Sequence, residues 1–107
     1  MPNKFTFAFT PLAEQDIDSA LDYISENLRN LKAARDMLTR IEKAIERACT
    51  VPYGFPDCAV YFITDKKIRH VTIDNYLLIY EIDEEKKRLN ILRFRYAKMN
   101  LEGLRTK

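Results

Sequence analysis

Residues 90–100 read NILRFRYAKMN, with Arg93 and Arg95 at alternate positions in a run that otherwise has the makeup of a buried strand. Successive side chains of an extended chain point to opposite faces, so the two guanidinium groups project from one face while Leu92 and Phe94 project from the other. Arginine carries a permanent charge on a planar fork of donors, which suits it to oxyanions. Two such groups side by side make anion binding the first chemistry to consider, and Tyr96 and Lys98 follow at once. Arg69 and His70 stand together earlier in the chain. An imidazole titrates near neutrality, although a lone histidine on a strand more often serves packing. A phenol titrates near pH ~10 and is a poor base unless neighbouring cations lower it. The ordinary alternative for Arg93 and Arg95 is solvation on an open face, or pairing with Glu81 and Asp83 next door. Exposed on a sheet face, both should tolerate alanine together with a melting temperature within a few degrees, whichever role they have.

The elements that must position these residues follow from periodicity. KFTFAFT (4–10) alternates Phe5, Phe7 and Phe9 with small or polar residues, predicting a half-buried strand whose three phenylalanines enter the core. Thr10-Pro11 suits a helix start, with threonine as cap and proline at the first helical position. Ala13, Ile17, Ala20, Leu21, Ile24 and Leu28 recur at spacings of three and four, predicting a helix over 11–28. Its opposite face, Glu14, Asp16, Asp18, Asp22 and Glu26, reads as a solvated acidic surface. After a break at Asn30, a second stripe from Ala34 to Ala48 predicts a helix over 31–49 and an antiparallel helical hairpin. VPYGFPDC (51–58) is a loop. The remainder is β: strands over 67–73, 76–83 and 88–96, with turns at Asp74-Asn75 and EEKK. The tail from 97 suits a half-strand or a short helix.

The order β-α-α-β-β-β describes an α+β domain: an antiparallel sheet with the helical hairpin on one face and the opposite face open. Parity places Leu89, Ile91, Arg93 and Arg95 on one side of the last strand, and Asn90, Leu92, Phe94 and Tyr96 on the other. A basic strip on the open face is the expected result.

The chain has 107 residues, 47% hydrophobic and 32% charged, enough for one domain with a modest core. No stretch approaches the length of a membrane span, and the N-terminus lacks a signal peptide's pattern, so a cytoplasmic location is expected. Cys49 and Cys58 have neither CxxC nor zinc spacing, and with one histidine no metal or cofactor is expected. Net charge is only +2, but residues 1–65 hold 7 Lys/Arg against 10 Asp/Glu and residues 66–107 hold 11 against 6, balances of −3 and +5. Motifs for a nucleophilic or phosphate-cradling enzyme are absent.

Segment by segment, the chain resembles the RelE/ParE superfamily of bacterial type II toxins, also called plasmid-stabilisation proteins. FTPLAEQDI is similar to the family's first strand followed by xxAxxDL, LDYISENL to its I-x-x-Y-I, and KAARDMLTRIEKAI to its second helix. VPYGFP is followed by IRHVTIDNYLLIYEID, which puts Arg69, Tyr76 and Tyr80 on marked positions of the family core. ILRFRYAKMN resembles the ParE-type ending, with Arg93 on its arginine, Tyr96 on its histidine and Lys98 on its second arginine. Lys98 and Asn100 depart from the usual arginine and acid.

The resemblance implies a growth-inhibiting toxin and a cognate antitoxin whose segment folds onto exposed apolar and basic surface. It leaves three modes open: ribosome-dependent mRNA cleavage, inhibition of DNA gyrase, and an antitoxin-binding member that has lost toxicity. As a metal-independent endoribonuclease, the chain would need a base for the 2′-OH, an acid for the leaving oxygen and fixed cations for the phosphorane. Arg93, Arg95 and Tyr96 are the catalytic candidates, with Arg69, Lys98 and His70 as binding residues. Convergence of Arg69, Arg93, Arg95 and Tyr96 in one concavity favours RNA chemistry. Scattered arginines with an apolar helical surface favour protein inhibition.

Overall fold

Thr10 and Pro11 turn the first strand into the first helix. The computed structural model describes residues 4–61 and 63–97. Strand β1 (Thr6–Phe9) ends at Thr10, whose hydroxyl oxygen accepts the Ala13 N–H at 3.1 Å and caps helix α1 (Pro11–Asp22). Helix α1 buries Ala13, Ile17 and Ala20. The helix expected over 11–28 changes character at its end: Tyr23–Asn27 form a π-helical turn, closed by the Leu28 N–H donating to the Tyr23 carbonyl at 3.2 Å. Arg29 then takes a left-handed conformation (φ 51°) and reverses the chain. Asn30 caps helix α2 (Leu31–Thr50), accepting the Ala33 N–H at 2.9 Å. Helix α2 buries Ala34, Met37, Ile41, Ala44, Ile45, Ala48 and Cys49; Leu38, which the periodicity also places in this stripe, is 41% exposed.

Strands β2 (Ile68–Ile73), β3 (Tyr76–Asp83) and β4 (Arg88–Tyr96) form the expected antiparallel meander. The sheet order is β1-β4-β3-β2, and β1 runs parallel to β4, so the four-stranded sheet is mixed rather than wholly antiparallel. No turn joins β1 to β4, so nothing local dictates an antiparallel pairing. The order β-α-α-β-β-β and the helix-covered face are as expected.

Facing the helices are Leu78, Tyr80, Ile82, Leu89, Ile91 and Phe94, all at most 2% exposed. The register slips between Ile79 and Tyr80: Tyr80 lies opposite Ile91, but Ile79 lies opposite Arg93, leaving Leu92 as an extra residue. This β-bulge shifts the phase of β4. Leu89 and Ile91 therefore share the helix-facing side with Phe94 and Tyr96, not with Arg93 and Arg95 as parity suggested.

The other face is not open throughout. Leu77 and Ile79 pack there with Cys58, Ile63, Ile68, Leu92 and Ala97. The loop after α2 reaches that face by crossing the edge of β2, where Asp57 bridges to Arg69 and the Pro56 carbonyl accepts the His70 N–H at 3.0 Å. The fully buried Tyr80 anchors the start of this loop, its hydroxyl donating to the Pro52 carbonyl at 2.6 Å. Of the three leading phenylalanines Phe5 is buried and Phe9 partly so, but Phe7 is 49% exposed, because it faces a groove that neither helix fills. The expected tail element and Lys98 lie outside the described residues.

Candidate functional site

Helix α1 starts where β1 stops pairing with β4, and its first turns lie along the β4 edge that β1 leaves free. The Thr10 hydroxyl lies 3.0 Å from both the Ile91 and Leu92 carbonyl oxygens, beside the bulge. Two turns further on, Asp16 accepts the Phe94 N–H at 3.1 Å. Arg93 curls round the same edge and donates to Asp16 through Nε at 2.7 Å and Nη2 at 3.2 Å, a side-on, two-point pair. Burial alone would raise the Asp16 carboxyl. The Arg93 and Phe94 hydrogen bonds, with the charges of Arg93 and Arg95, outweigh it and hold the group below the usual carboxylate range. The bond from Asp16 raises the Arg93 guanidinium further. Asp16 therefore does not belong to a merely solvated face, and Arg93 pairs with it rather than with Glu81 or Asp83. Those two engage Asn90 and the Lys86 N–H.

Arg95 lies opposite Leu77 and Arg93 opposite Ile79, so the two arginines share a face as expected. Arg69 does not join them. It lies opposite Tyr80, on the helix-facing side, where it donates to the carbonyls of Lys66 (2.8 Å), Tyr53 (3.2 Å) and Phe55 (2.9 Å). Its guanidinium also sits 5.1 Å over the Tyr53 ring. Its donors hold the loop after α2 against the sheet. Tyr96 is also on the helix-facing side, opposite Tyr76 and edge-on to that ring at 5.4 Å, while Tyr76 stacks on Phe94 at 4.7 Å.

His70 lies on the arginine face but is buried, with Nδ1 3.6 Å from the Cys58 sulfur. Burial pulls the His70 imidazole down, against the opposing influence of Asp57. Burial also pushes the Cys58 thiol up to about 11, so this pair holds a neutral thiol rather than a nucleophile. Thus Arg93, Arg95 and His70 share one face, Arg69 and Tyr96 lie on the other, and the four-residue concavity that would favour RNA chemistry is not assembled. Among the described residues no cluster of three or more His, Cys, Asp or Glu could hold a metal.

A second feature has no counterpart among the expectations from sequence. An open groove of about 1120 Å³ runs beside β1, floored by Phe5, Phe7, Phe9, Ile17, Ile41 and Ile45, with Leu38 at its border. Glu14 and Asp18 of α1 and Glu42 and Glu46 of α2 line it together with Lys4, all exposed. Strand β1 is an edge: Thr6 and Thr10 donate inward to the Lys87 and Ile91 carbonyls, so the alternation of a parallel ladder turns the Phe7 peptide groups outward. Further apolar residues stand exposed on the hairpin, among them Leu12, Tyr23, Leu28 and Leu31. The one sequence signal for the groove was the Phe-rich strand, which pointed to core.

Residues 7–101 match the family described as the ParE toxin of type II toxin–antitoxin systems, parDE. The chain belongs to this family. The fold of this ParE-family chain is similar to that in the chromosomal ParDE system from P. aeruginosa, at 15% identity and TM-score 0.69, covering 89% of this chain and 98% of that one. The RelBE2 toxin–antitoxin complex from Mycobacterium tuberculosis aligns at 18% identity and TM-score 0.46, over 87% of this chain and 98% of its own. No curated protein matches this ParE-family chain. None of its described helices is long and apolar enough to cross a membrane.

Proposed function

We propose that this ParE-family chain arrests growth by binding a protein target, DNA gyrase in the reading its family supports, rather than by cleaving mRNA. A cognate antitoxin neutralises it in the cytoplasm. The observation that carries this reading is the separation of the groups that RNA chemistry would need. Arg93 is held by Asp16, Arg69 is bound to three carbonyls on the opposite face, and Tyr96 lies on that opposite face as well. A phosphorane needs fixed cations and a proton donor within bonding reach of one point, and these residues do not converge on one. Exposed large apolar residues on the hairpin suit a protein interface, where such side chains supply the anchors. Arg93 and Arg95 then act as contacts for an acidic patch of the target. The groove beside β1 is where the antitoxin's folding segment docks.

Induced expression in a bacterial host lacking antitoxin tests the reading, with DNA and protein synthesis followed by separate pulse labels. The expected outcome is an early fall in DNA synthesis with induction of the SOS response, while translation continues. An early fall in translation with cleaved mRNA would replace this reading by the ribonuclease, with Arg93, Arg95 and Tyr96 as its catalytic residues and Arg69, His70 and Lys98 as binding residues. Normal synthesis of both would leave an antitoxin-binding protein without toxicity.

A further inference from the structure

We infer that the groove beside β1 selects an amphipathic partner segment whose apolar anchors are flanked by lysine and arginine. The inference rests on the reading of that groove as a docking place, and it names the chemistry of the occupant. Glu14 and Asp18 stand four apart on α1, and Glu42 and Glu46 stand four apart on α2, so each helix presents a like-charged pair to the same groove. Such pairs cost a helix stability. Among the described residues of the lining four carboxylates face one cation, Lys4, which pairs with Glu46 at 3.9 Å, while Lys87 sits 5.4 Å over the Phe5 ring without lining the groove.

This local excess runs against the chain's net charge of +2. An acidic segment, which overall charge would favour, meets repulsion from both rims. A basic-flanked segment seats its apolar side chains on the phenylalanine floor and brings a cation to each rim, relieving the repulsion within each pair. The groove is open along its length and bordered by the outward peptide groups of β1, features that suit a polypeptide. The four carboxylates are thus specificity determinants: they decide which antitoxin segments the groove accepts.

Two synthetic peptides of about 16 residues, ~24 Å long as helices, test this. They share the same leucine and isoleucine positions and differ only in Lys or Glu at the flanks. Fluorescence anisotropy measures their binding to the full chain and to a variant carrying Glu14→Gln, Asp18→Asn, Glu42→Gln and Glu46→Gln, whose folding is checked by its melting curve. The Lys peptide is expected to bind the wild type roughly tenfold more tightly than its Glu twin at low salt. That preference should shrink to roughly twofold or less in the neutralised variant and in high salt. Equal affinities, a preference for Glu, binding by neither peptide, or a Lys preference that survives neutralisation would overturn the inference. Loss of peptide binding as the chain is concentrated would instead assign the groove to a second copy, and would also overturn it. If the neutralised variant unfolds, the salt titration of the wild type alone decides. Growth arrest is read in separate cells, so a toxin without the preference refutes only this inference, and a selective groove on a harmless chain refutes only the toxin reading.

Discussion

Asp16 is one of five acidic residues along the first helix and its π-turn, and composition does not distinguish it from its neighbours. Its placement does: it alone takes both the Phe94 N–H and the Arg93 fork, with its side chain only 16% exposed. Arg93→Ala strands that carboxylate and should cost about 1–3 kcal/mol, read by urea denaturation. Arg95→Ala should cost about 0.5 kcal/mol or less, so the two arginines are not equally dispensable. Because folding lowers the Asp16 pKa, its contribution is present above the unfolded value near ~3.9 and is lost as pH falls through the lower folded value. Melting curves of the wild type and Asp16→Asn, taken from neutral to strongly acidic pH, should therefore converge at the acid end. Equal gaps at every pH would show that the carboxylate charge contributes nothing. The only sequence hint for Asp16 was its place in AEQDI, the stretch that resembled the family's helix start.

Whole elements were more legible than their registration. Strands β3 and β4 fall on the expected 76–83 and 88–96, because alternating hydrophobicity bounded by turn residues marks a strand directly. Parity then failed at Leu92, since a bulge adds one residue to one strand and leaves no mark on composition. The path of the loop after α2 was also hidden, because it depends on side chains distant in sequence. Tyr80 is one of them, and Tyr80→Phe removes only the hydroxyl that holds the Pro52 carbonyl. That change should cost about 1–3 kcal/mol and speed hydrogen exchange at the His70 amide, which depends on the docked loop. Unchanged exchange would mean that Arg69, with its three carbonyl contacts, holds the loop alone. Burial lowers the His70 pKa, so stability is fully present above the unfolded value near ~6.5 and is lost as pH falls through the folded one.

Across the whole molecule the sheet pairs its first strand with its last. The meander β2-β3-β4 pairs through short turns, whereas β1 waits for a partner more than 80 residues away, Thr6 opposite Arg88 and Phe9 opposite Ile91. Local pairing precedes distant pairing on entropic grounds. Pulsed hydrogen exchange during refolding should therefore protect amides of β3 before those of β1, and simultaneous protection would contradict that order. The same geometry bears on a chain still being made. While the ribosome holds β4, β1 has nothing to lie against, so the phenylalanine part of the groove floor is not in place, and Arg93 and Arg95 have not emerged. The face proposed to meet a target and the groove proposed to hold an antitoxin segment therefore both depend on β4, and neither is complete before that strand is available. Until then a partner finds only the apolar side chains of the helical hairpin, so the complete docking place and the arginine face form in one step.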